Sequence, residues 1–336
     1  MCESSKPSKL KLKTKVTETP QDAGLVPTIA VSCWMGMNGF VTSLILYSLI
    51  APPLHRNIII GLFTASLILP PRFPGKIGVW FGNWIMRNAQ KYFALKTTIE
   101  NEQDFHDINA QGKTAIFACE PHDILPYSVF CFNPHLKVLP GRLGETSKCL
   151  MTGAIFNVPF MKQVYSWVGG APVDKKTFRG RLQRKECVAF IPGGVQEVTL
   201  IDPKSPNDLI LYLKNRKGFV KLALENGTPI VPVFMFHLDG SFKYLIPRGK
   251  LASSVARKIG FLPLLMFGRF GIPFGIPNPQ KIHVVFGEKI DVPCEGENIP
   301  NESVDKYHAL YLQKLEELFE KHKHAEGYGH RTLKIM

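Results

Sequence analysis

The sequence lacks the cysteine patterns that cross-link small secreted domains or bind zinc. Its 336 residues include seven cysteines, an odd number, and no two of them have the CxxC spacing. Several lie inside apolar runs such as residues 115–119, where cysteine usually behaves as a small buried hydrophobic residue. We therefore expect no disulfide framework, no metal site and a reducing compartment for most of the chain.

Signatures of nucleic-acid binding are missing as well, although the chain is strongly basic. It carries 41 lysines and arginines against 27 acidic residues, a formal net charge of +14. Such an excess favours polyanionic partners, whether nucleic acid, anionic lipid or a phosphorylated substrate. No helix-turn-helix, zinc-finger or RNA-binding pattern accompanies the charge. We therefore expect lipid surfaces and phosphate-bearing ligands, and no nucleic acid.

Charge is absent from one long stretch near the N-terminus. No charged residue occurs between positions 23 and 54, and residues 28–50 are mostly apolar. A helix over residues 28–50 would be long enough to span a hydrocarbon core, which needs roughly 20 residues. The apolar region of a cleaved signal peptide would be only about 7–15 residues long. These properties favour a retained membrane anchor.

A second apolar run, residues 58–69, ends at Pro70 and Pro71. As a helix it reaches about 18 Å, which is shorter than a hydrocarbon core roughly 30 Å thick. The two runs therefore form either a hairpin that enters the membrane and returns, or one span followed by an interfacial segment. Lysines precede the first run, and Arg72 and Lys76 follow the second, which favours the hairpin with both ends cytoplasmic. A buried pair of core helices is the alternative.

The chain divides into three parts. Residues 1–24 carry five lysines among Ser, Thr and Pro and predict a disordered basic tail. Residues 25–71 form the membrane-embedded hairpin or anchor. From residue 77 to 336, short apolar runs alternate with helical patterns, of which residues 303–323 are the clearest. This alternation predicts an α/β domain with a largely parallel sheet flanked by helices.

Two of the predicted strands end in residues that can carry chemistry. One strand is followed by Glu120-Pro121-His122-Asp123, and another by Pro192-Gly193-Gly194-Val195-Gln196-Glu197. In open α/β sheets, ligands bind beyond the carboxyl ends of the strands. We therefore expect these two loops to be neighbours and to form the functional site.

The two loops suit acyl transfer from a thioester to an alcohol. A base must take the hydroxyl proton, and the imidazole of His122 has an unperturbed pKa near neutrality. A carboxylate should orient the imidazole, and Glu197, Glu120 and Asp123 are all candidates. The backbone N–H groups of residues 193 and 194 are candidates for stabilising the oxyanion, although a plain tight turn explains these two glycines equally well.

Basic residues elsewhere are candidates for binding the phosphates of a CoA donor. Arg216 and Lys217 precede a predicted helix, whose N-terminus favours anions. Arg269 lies in a stretch rich in Gly, Pro and aromatic residues, 261–279, which predicts either an interfacial loop that admits lipid or an ordinary surface loop. His283 and His237 adjoin apolar strands, and we interpret both as structural.

Five motifs occur in order along the chain: Glu120-Pro121-His122, Pro192-Gly193-Gly194-Val195-Gln196-Glu197, Arg216-Lys217-Gly218-Phe219-Val220-Lys221, His283-Val284-Val285-Phe286-Gly287 and Phe319-Glu320-Lys321-His322-Lys323. Together they resemble the type 2 diacylglycerol acyltransferase family, and the likeness covers nearly the whole chain. The Glu-Pro-His form, rather than His-Pro-His, is similar to the plant and algal branch.

The resemblance implies an acyltransferase-like domain in an integral protein of the endoplasmic reticulum membrane, with a cytosolic active site; the lipid droplet surface is a second location. It implies esterification of diacylglycerol to triacylglycerol by acyl-CoA, without a cofactor, with His122 essential and Glu197 in a functional block. The expected partners are acyl-CoA, diacylglycerol and membrane lipid, and a homo-oligomer is an assembly to test.

Two departures from the family pattern affect these expectations. Asp123 stands where relatives usually have Ser or Gly, and the Phe-Leu-x-Leu motif of animal members is absent, since Val41 follows Phe40. The acceptor therefore stays open between diacylglycerol, monoacylglycerol and a long-chain alcohol. An inactive lipid-droplet or membrane scaffold is a further alternative, which the presence of both His122 and Glu197 disfavours.

Overall fold

Strands and helices alternate along most of the chain. The structure is a computed structural model that describes residues 14–201, 205–245, 254 and 264–336. Its strands are β1 (Lys15–Glu18), β2 (Lys96–Ile99), β3 (Ile116–Glu120), β4 (Lys148–Met151), β5 (Gly170–Pro172), β6 (Val188–Phe190), β7 (Asp208–Leu211), β8 (Ile230–Phe236), β9 (Lys243–Leu245), β10 (Leu265–Phe267), β11 (His283–Phe286) and β12 (Thr332–Ile335). Its helices are α1 (Leu25–Trp34), α2 (Met37–Ile50), α3 (Pro53–Ile68), α4 (Lys76–Tyr92), α5 (Glu102–Ala110), α6 (Gly141–Thr146), α7 (Met161–Trp167), α8 (Lys175–Gln183), α9 (Gln196–Leu200), α10 (Gly218–Asn226) and α11 (Asn301–Lys323).

Eight of the strands form one sheet, in the order β1-β2-β11-β8-β3-β6-β4-β5. Within the described residues, five of its seven pairings are parallel, and β1 with β2 and β11 with β8 run antiparallel. Two small sheets join β9 to β10 and β7 to β12. The predicted α/β fold with a largely parallel sheet is confirmed, and β3, which leads to His122, lies near its centre.

Both faces of the sheet are buried, and for this reason the central strands are continuous apolar runs. All residues of β8 are buried, and they alternate between two cores because successive side chains of a strand point to opposite faces. Val233 and Met235 belong to the core that includes residues of α1, α4 and α5. Phe234 and Phe236 belong to the core that includes residues of α10 and α11. Helices therefore flank the sheet on two sides.

The N-terminal tail differs from its predicted disorder where the structure describes it. Residues 15–18 form β1, which pairs antiparallel with β2, and the N–H of Thr19 donates to the carbonyl oxygen of Leu95 at 2.9 Å. The composition of this segment does not predict a strand, because three of its four side chains are exposed and need not be apolar. The rest of the predicted tail, residues 1–13, lies outside the described residues.

The apolar N-terminal stretch forms short helices rather than one long helix over residues 28–50, so that prediction is wrong. α1 and α2 are inclined by 60° to each other. Gly36 lies at the break, where a Cβ would approach the carbonyl oxygen of Ser32 to 2.5 Å. Among the described residues no single helix is long and apolar enough to cross a membrane, whereas α1 and α2 together have the required length and composition.

The apolar side chains of α2 and α3 face outward to a large extent. Leu49, Ile50 and Ile68 are 74%, 84% and 77% exposed. On its other side α3 is fixed to the domain, because the buried hydroxyl of Ser66 donates to the Gln163 side chain of α7 at 2.9 Å. The two helices therefore pack on the domain along one side and present an apolar surface on the other.

Candidate active site

The two loops that the sequence singles out lie side by side at the carboxyl ends of neighbouring strands. β3 ends at Glu120 and pairs in parallel with β6, which leads into the loop around Gly193. The short helix α9 follows that loop and carries Glu197 at its second position. The predicted proximity of the loops follows from this parallel pairing.

Glu197 holds the backbone of the histidine loop rather than the imidazole. The side chain is 2% exposed, and its Oε2 accepts the backbone N–H of His122 at 2.8 Å. Its Oε1 accepts the backbone N–H of Tyr212, just after β7, at 2.9 Å. Both oxygens are therefore occupied by main-chain donors, so Glu197 is a positioning residue for His122 and not its imidazole partner in this structure.

The imidazole of His122 is held by its own loop. Its Nδ1 lies 2.7 Å from the carbonyl oxygen of Asp123, and since a carbonyl only accepts, we assign the proton to Nδ1. Asp123 has a φ of 48°, a conformation that Asp tolerates better than most residues, and this turn brings its carbonyl back to the ring. Burial lowers the pKa of His122 to about 4. The imidazole is therefore neutral at physiological pH, with Nε2 as its unprotonated nitrogen.

Glu120 and Glu197 form a pair of buried carboxyl groups beneath the histidine loop. The N–H of Gly193 donates to Oε1 of Glu120 at 2.8 Å, and the side chains of Glu120 and Glu197 share a hydrogen bond. Burial, and then the nearby charge of Glu197, raises the pKa of Glu120 well above its ordinary value. Burial also raises the pKa of Glu197 to about 7. At neutral pH, Glu120 is therefore the protonated member of the pair.

The loop between the two carboxyl groups needs glycine for reasons of space. A Cβ on Gly193 would lie 1.9 Å from Oε1 of Glu197, so a side chain there would displace the carboxylate. The Gly193 N–H donates to Glu120 in this structure, and its role as an oxyanion donor stays a prediction. Gly194 has a φ of 62° and forms the turn before α9. An oxyanion role for Gly194 stays a prediction.

The three basic residues predicted to bind CoA are not gathered in one place. Arg216 stacks over the Tyr212 ring at 5.0 Å from its centroid, and its charge opposes the raised pKa values of Glu120 and Glu197. The Nζ of Lys217 pairs with Asp305 at 2.7 Å. Of the three, the structure places Arg216 beside the carboxyl pair.

Arg269 has a structural role that the sequence analysis did not predict. Its Nη1 donates to the hydroxyl of Thr28 at 2.8 Å and to the carbonyl oxygen of Ala23 at 3.1 Å. The guanidinium therefore links the segment around Arg269 to the start of α1. Nη2 and Nε remain as further donors of the guanidinium, and the CoA contact of Arg269 stays a prediction.

A cleft of about 300 Å³ opens beside the histidine loop. Its walls include Pro121, Asp123, Glu197, Met235, Leu238, Asp239, Tyr244, Tyr328 and Arg331. Tyr328 donates through its hydroxyl to Oδ1 of Asp239 at 2.9 Å, and Arg331 forms an ion pair with the same carboxylate. Burial, followed by the charge of Asp239, raises the pKa of Asp123 to about 7. The cleft is thus polar at the histidine loop and apolar at Met235 and Leu238.

Sequence reasoning missed three residues of this cleft. Asp239 follows the carboxyl end of β8 and could have been found by the same strand-end argument that singles out His122. Tyr328 and Arg331 lie after α11, and nothing in the local sequence indicates that this segment returns to the site. They reach it because β12 pairs with β7, next to the cleft.

The sequence matches known acyltransferases over most of its length. The model of the family described as diacylglycerol acyltransferase matches residues 55–335. The chain belongs to this family. It is 32% identical over 253 residues to diacylglycerol O-acyltransferase 2 of Dictyostelium discoideum, covering 72% of this chain and 74% of the relative. It is 28% identical over 275 residues to diacylglycerol O-acyltransferase 2 of Homo sapiens, covering 76% of this chain and 68% of the relative.

One solved structure, that of the 1-acyl-sn-glycerophosphate acyltransferase PlsC from Thermotoga maritima, aligns with a TM-score of 0.40 and 14% sequence identity. The alignment covers 87% of this chain and 95% of that one. The family assignment rests on the sequence matches alone. The predicted membership of the diacylglycerol acyltransferase family is confirmed, while the plant and algal branch stays a prediction.

His283 and His237 belong to a separate polar network. The Nε2 of His283 lies 2.8 Å from the hydroxyl of Thr98, and its Nδ1 lies 2.8 Å from the carboxylate of Glu326. The Nε2 of His237 contacts the same carboxylate at 3.0 Å. His283 is buried in the sheet. The network joins the sheet to the segment after α11, which agrees with the structural interpretation of both histidines.

We expect Glu197→Gln to lower kcat of the acyltransferase roughly tenfold or more. A glutamine has one carbonyl oxygen, so it cannot accept both the His122 and the Tyr212 N–H groups. Glu120→Gln is the matched control, since a protonated Glu120 and a glutamine are both neutral and both accept the Gly193 N–H. It should keep most of its activity. An unchanged kcat for Glu197→Gln, or a greater loss for Glu120→Gln, would contradict the positioning role.

The raised pKa of Asp123 predicts a pH-dependent stability difference. Its folded pKa of about 7 lies above the unfolded value of about 3.9. Ionisation therefore disfavours the folded state, and stability is lost as pH rises through that window. Asp123→Asn removes this titration and keeps a residue that tolerates positive φ. We expect equal melting temperatures at pH 4 and a higher one for the variant at pH 8, measured by thermal unfolding. A constant difference across this range would refute the shift.

Proposed function

We propose that the protein transfers the acyl group of acyl-CoA to the free hydroxyl of diacylglycerol, giving triacylglycerol, with His122 as the general base. The reaction is supported by the names of the matching relatives, which are diacylglycerol O-acyltransferases. The role of His122 is supported by one observation above all. Its Nδ1 proton is donated to the Asp123 carbonyl, which leaves Nε2 to accept a proton.

The chemistry needs one proton to be moved twice. Nε2 of His122 takes the hydroxyl proton as the acceptor oxygen attacks the thioester carbonyl, and a tetrahedral intermediate forms. When that intermediate collapses, the carbon–sulfur bond breaks, and the imidazolium returns the proton to the departing CoA thiolate. The low pKa of His122 makes the imidazolium a strong acid in this second step. Base and acid are thus the same group.

Glu197 contributes by fixing where Nε2 points. The carboxylate holds the His122 backbone through Oε2, and the loop carbonyl at Asp123 holds the ring. These two contacts leave few conformations open to the imidazole before a substrate arrives. Catalysis benefits because misplacing a base by about 1 Å can cost on the order of a hundredfold in rate.

We further infer that the chain is attached to a membrane through α1, α2 and α3. This is supported by the outward-facing apolar side chains of α2 and α3, which would be costly in water. Diacylglycerol is itself a membrane lipid, and acyl-CoA comes from the aqueous side, so an enzyme at the interface reaches both. The endoplasmic reticulum membrane with a cytosolic active site, and the lipid droplet surface, are the proposed locations.

We expect His122→Ala to abolish triacylglycerol synthesis without unfolding the protein, because Nε2 is the proposed base. The measurement uses membranes from a host that lacks its own neutral-lipid acyltransferases, supplied with labelled acyl-CoA and diacylglycerol. His106→Ala is the matched control, since that histidine is more than half exposed on α5. Label should appear in triacylglycerol with wild type and the control, and not with His122→Ala.

Different outcomes of the same assay have different meanings. Near-normal synthesis by His122→Ala would remove the catalytic assignment. Transfer of label to monoacylglycerol or a long-chain alcohol, with diacylglycerol inactive, would change the acceptor but keep the base. No transfer from wild type to any acceptor would favour an inactive scaffold.

A further inference from the structure

Lys148 is a half-buried cation with no partner among the described residues. It begins β4, and its ammonium group makes no hydrogen bond or ion pair within that part of the chain. The charge of Glu186 acts on Lys148, but this carboxylate is already engaged by Arg181 at 2.7 Å and by Arg184 at 3.2 Å. Burial and the charges of Arg72 and Arg181 lower the pKa of Lys148. The described part of the fold therefore supplies no anion that pairs with this cation.

Hydrogen bonds bring Arg72 and Arg181 to Lys148 from two other parts of the chain. Lys148 N donates to the carbonyl oxygen of Cys187, the residue after Glu186, at 3.1 Å. The indole of Trp167 donates to the carbonyl oxygen of Phe73 at 3.0 Å. Cys149, which follows Lys148 in β4, donates its N–H to the carbonyl oxygen of Gly169 at 3.3 Å. The turn after α3 is thereby fixed beside the start of β4.

Further cations extend this group. Asn133 donates to the carbonyl oxygen of Val168 at 3.1 Å, which places the turn around His135 next to the same strand. Burial and the charges of Arg87, Lys137 and Lys148 lower the pKa of His135. We call the set Arg72, Arg87, Lys137, Lys148 and Arg181 the cationic cluster. It draws on α4, α8, β4 and two turns, so its five positive charges come from separate segments.

The cationic cluster lies at the opposite end of the sheet from His122. In the sheet register, Lys148 pairs with Val188 of β6, and Val188 pairs with Ile116, the first residue of β3. His122 follows the last residue of that strand, about 13 Å further along at roughly 3.3 Å per residue. The cluster is therefore separate from the proposed active site.

The cluster also borders an exposed apolar surface. Ile68, Phe73, Ile77 and Trp80, on either side of Arg72, are 77%, 48%, 68% and 62% exposed. Cations beside exposed apolar side chains are typical of proteins that meet an anionic leaflet, where the phosphates lie just above the acyl chains. A soluble anion would gain nothing from the apolar border.

We propose that the cationic cluster binds the phosphate monoester headgroup of an anionic phospholipid, with the apolar border in contact with its acyl chains. Lys148 and Arg72 hold the phosphate oxygens, and Arg181 adds charge from α8. This site goes beyond the proposed acyl transfer and does not depend on it. It would hold the domain against a membrane at a point distant from His122.

The test uses the purified full chain in a nonionic detergent, with thermal unfolding followed while dioctanoyl phosphatidic acid is added. Dioctanoyl phosphatidylcholine, inorganic phosphate and CoA are titrated in parallel. The variants are Lys148→Met, which keeps the apolar stem, Lys148→Arg, which keeps the charge, and Arg72→Gln. Lys306→Met, at an exposed position of α11, is the matched control.

We expect saturable stabilisation of wild type by phosphatidic acid and much weaker effects of the other three ligands. Lys148→Met and Arg72→Gln should each weaken the apparent Kd about fivefold, the usual effect of one cation near a lipid surface. Lys148→Arg and Lys306→Met should bind like wild type. Without ligand, Lys148→Met should unfold at the same or a higher temperature, because it removes a repelled charge, which shows that the fold is retained.

Three results would overturn the proposal. Unchanged phosphatidic acid binding by Lys148→Met and Arg72→Gln would remove the cluster from any headgroup site. Inorganic phosphate that binds as tightly as phosphatidic acid would make this a site for a soluble anion. CoA that binds more tightly than phosphatidic acid, with a loss in Lys148→Met, would assign the cluster to the acyl donor.

Discussion

The buried carboxylate of Glu197 is the interaction on which the candidate active site depends. Its two oxygens accept the backbone N–H groups of His122 and Tyr212, so a side chain from α9 joins the loop after β3 to the chain after β7. A buried N–H group without a partner is costly, and each of these bonds therefore stabilises the fold at the candidate site. The position of the proposed base is determined by a main-chain contact and not by a carboxylate on its ring.

A second buried carboxyl, Glu120, makes this arrangement electrically feasible. Two ionised carboxylates in a poorly solvated site would repel each other, and the pair relieves that repulsion by keeping one proton. Gly193 fits between them because it has no Cβ and because its N–H can donate to Glu120. The glycine-rich loop thus supports the carboxyl pair, and the histidine above it stays neutral because burial disfavours its charged form, although the bond to the Asp123 carbonyl works in the opposite direction.

The sequence predicted the parts of the fold that depend on apolar periodicity. The helical pattern over residues 303–323 coincides with α11, and the strand-end rule placed His122 and Glu197 together. It did not predict which atoms Glu197 contacts, since a carboxylate binds imidazole and backbone N–H groups equally readily. The strand β1, the break at Gly36 and the return of Tyr328 to the cleft depend on pairing and packing between distant segments. Local composition carries no signal for these.

The protonation state of His122 offers the most direct test of this account. Histidine side chains labelled with ¹⁵N would be observed by solid-state NMR in membranes at pH 7, with the His122 signals identified by their loss in His122→Ala. The account predicts a neutral ring with the proton on Nδ1 and an unprotonated Nε2. A doubly protonated ring, or a proton on Nε2 instead, would contradict both the contact with Asp123 and the proposed role of His122 as general base.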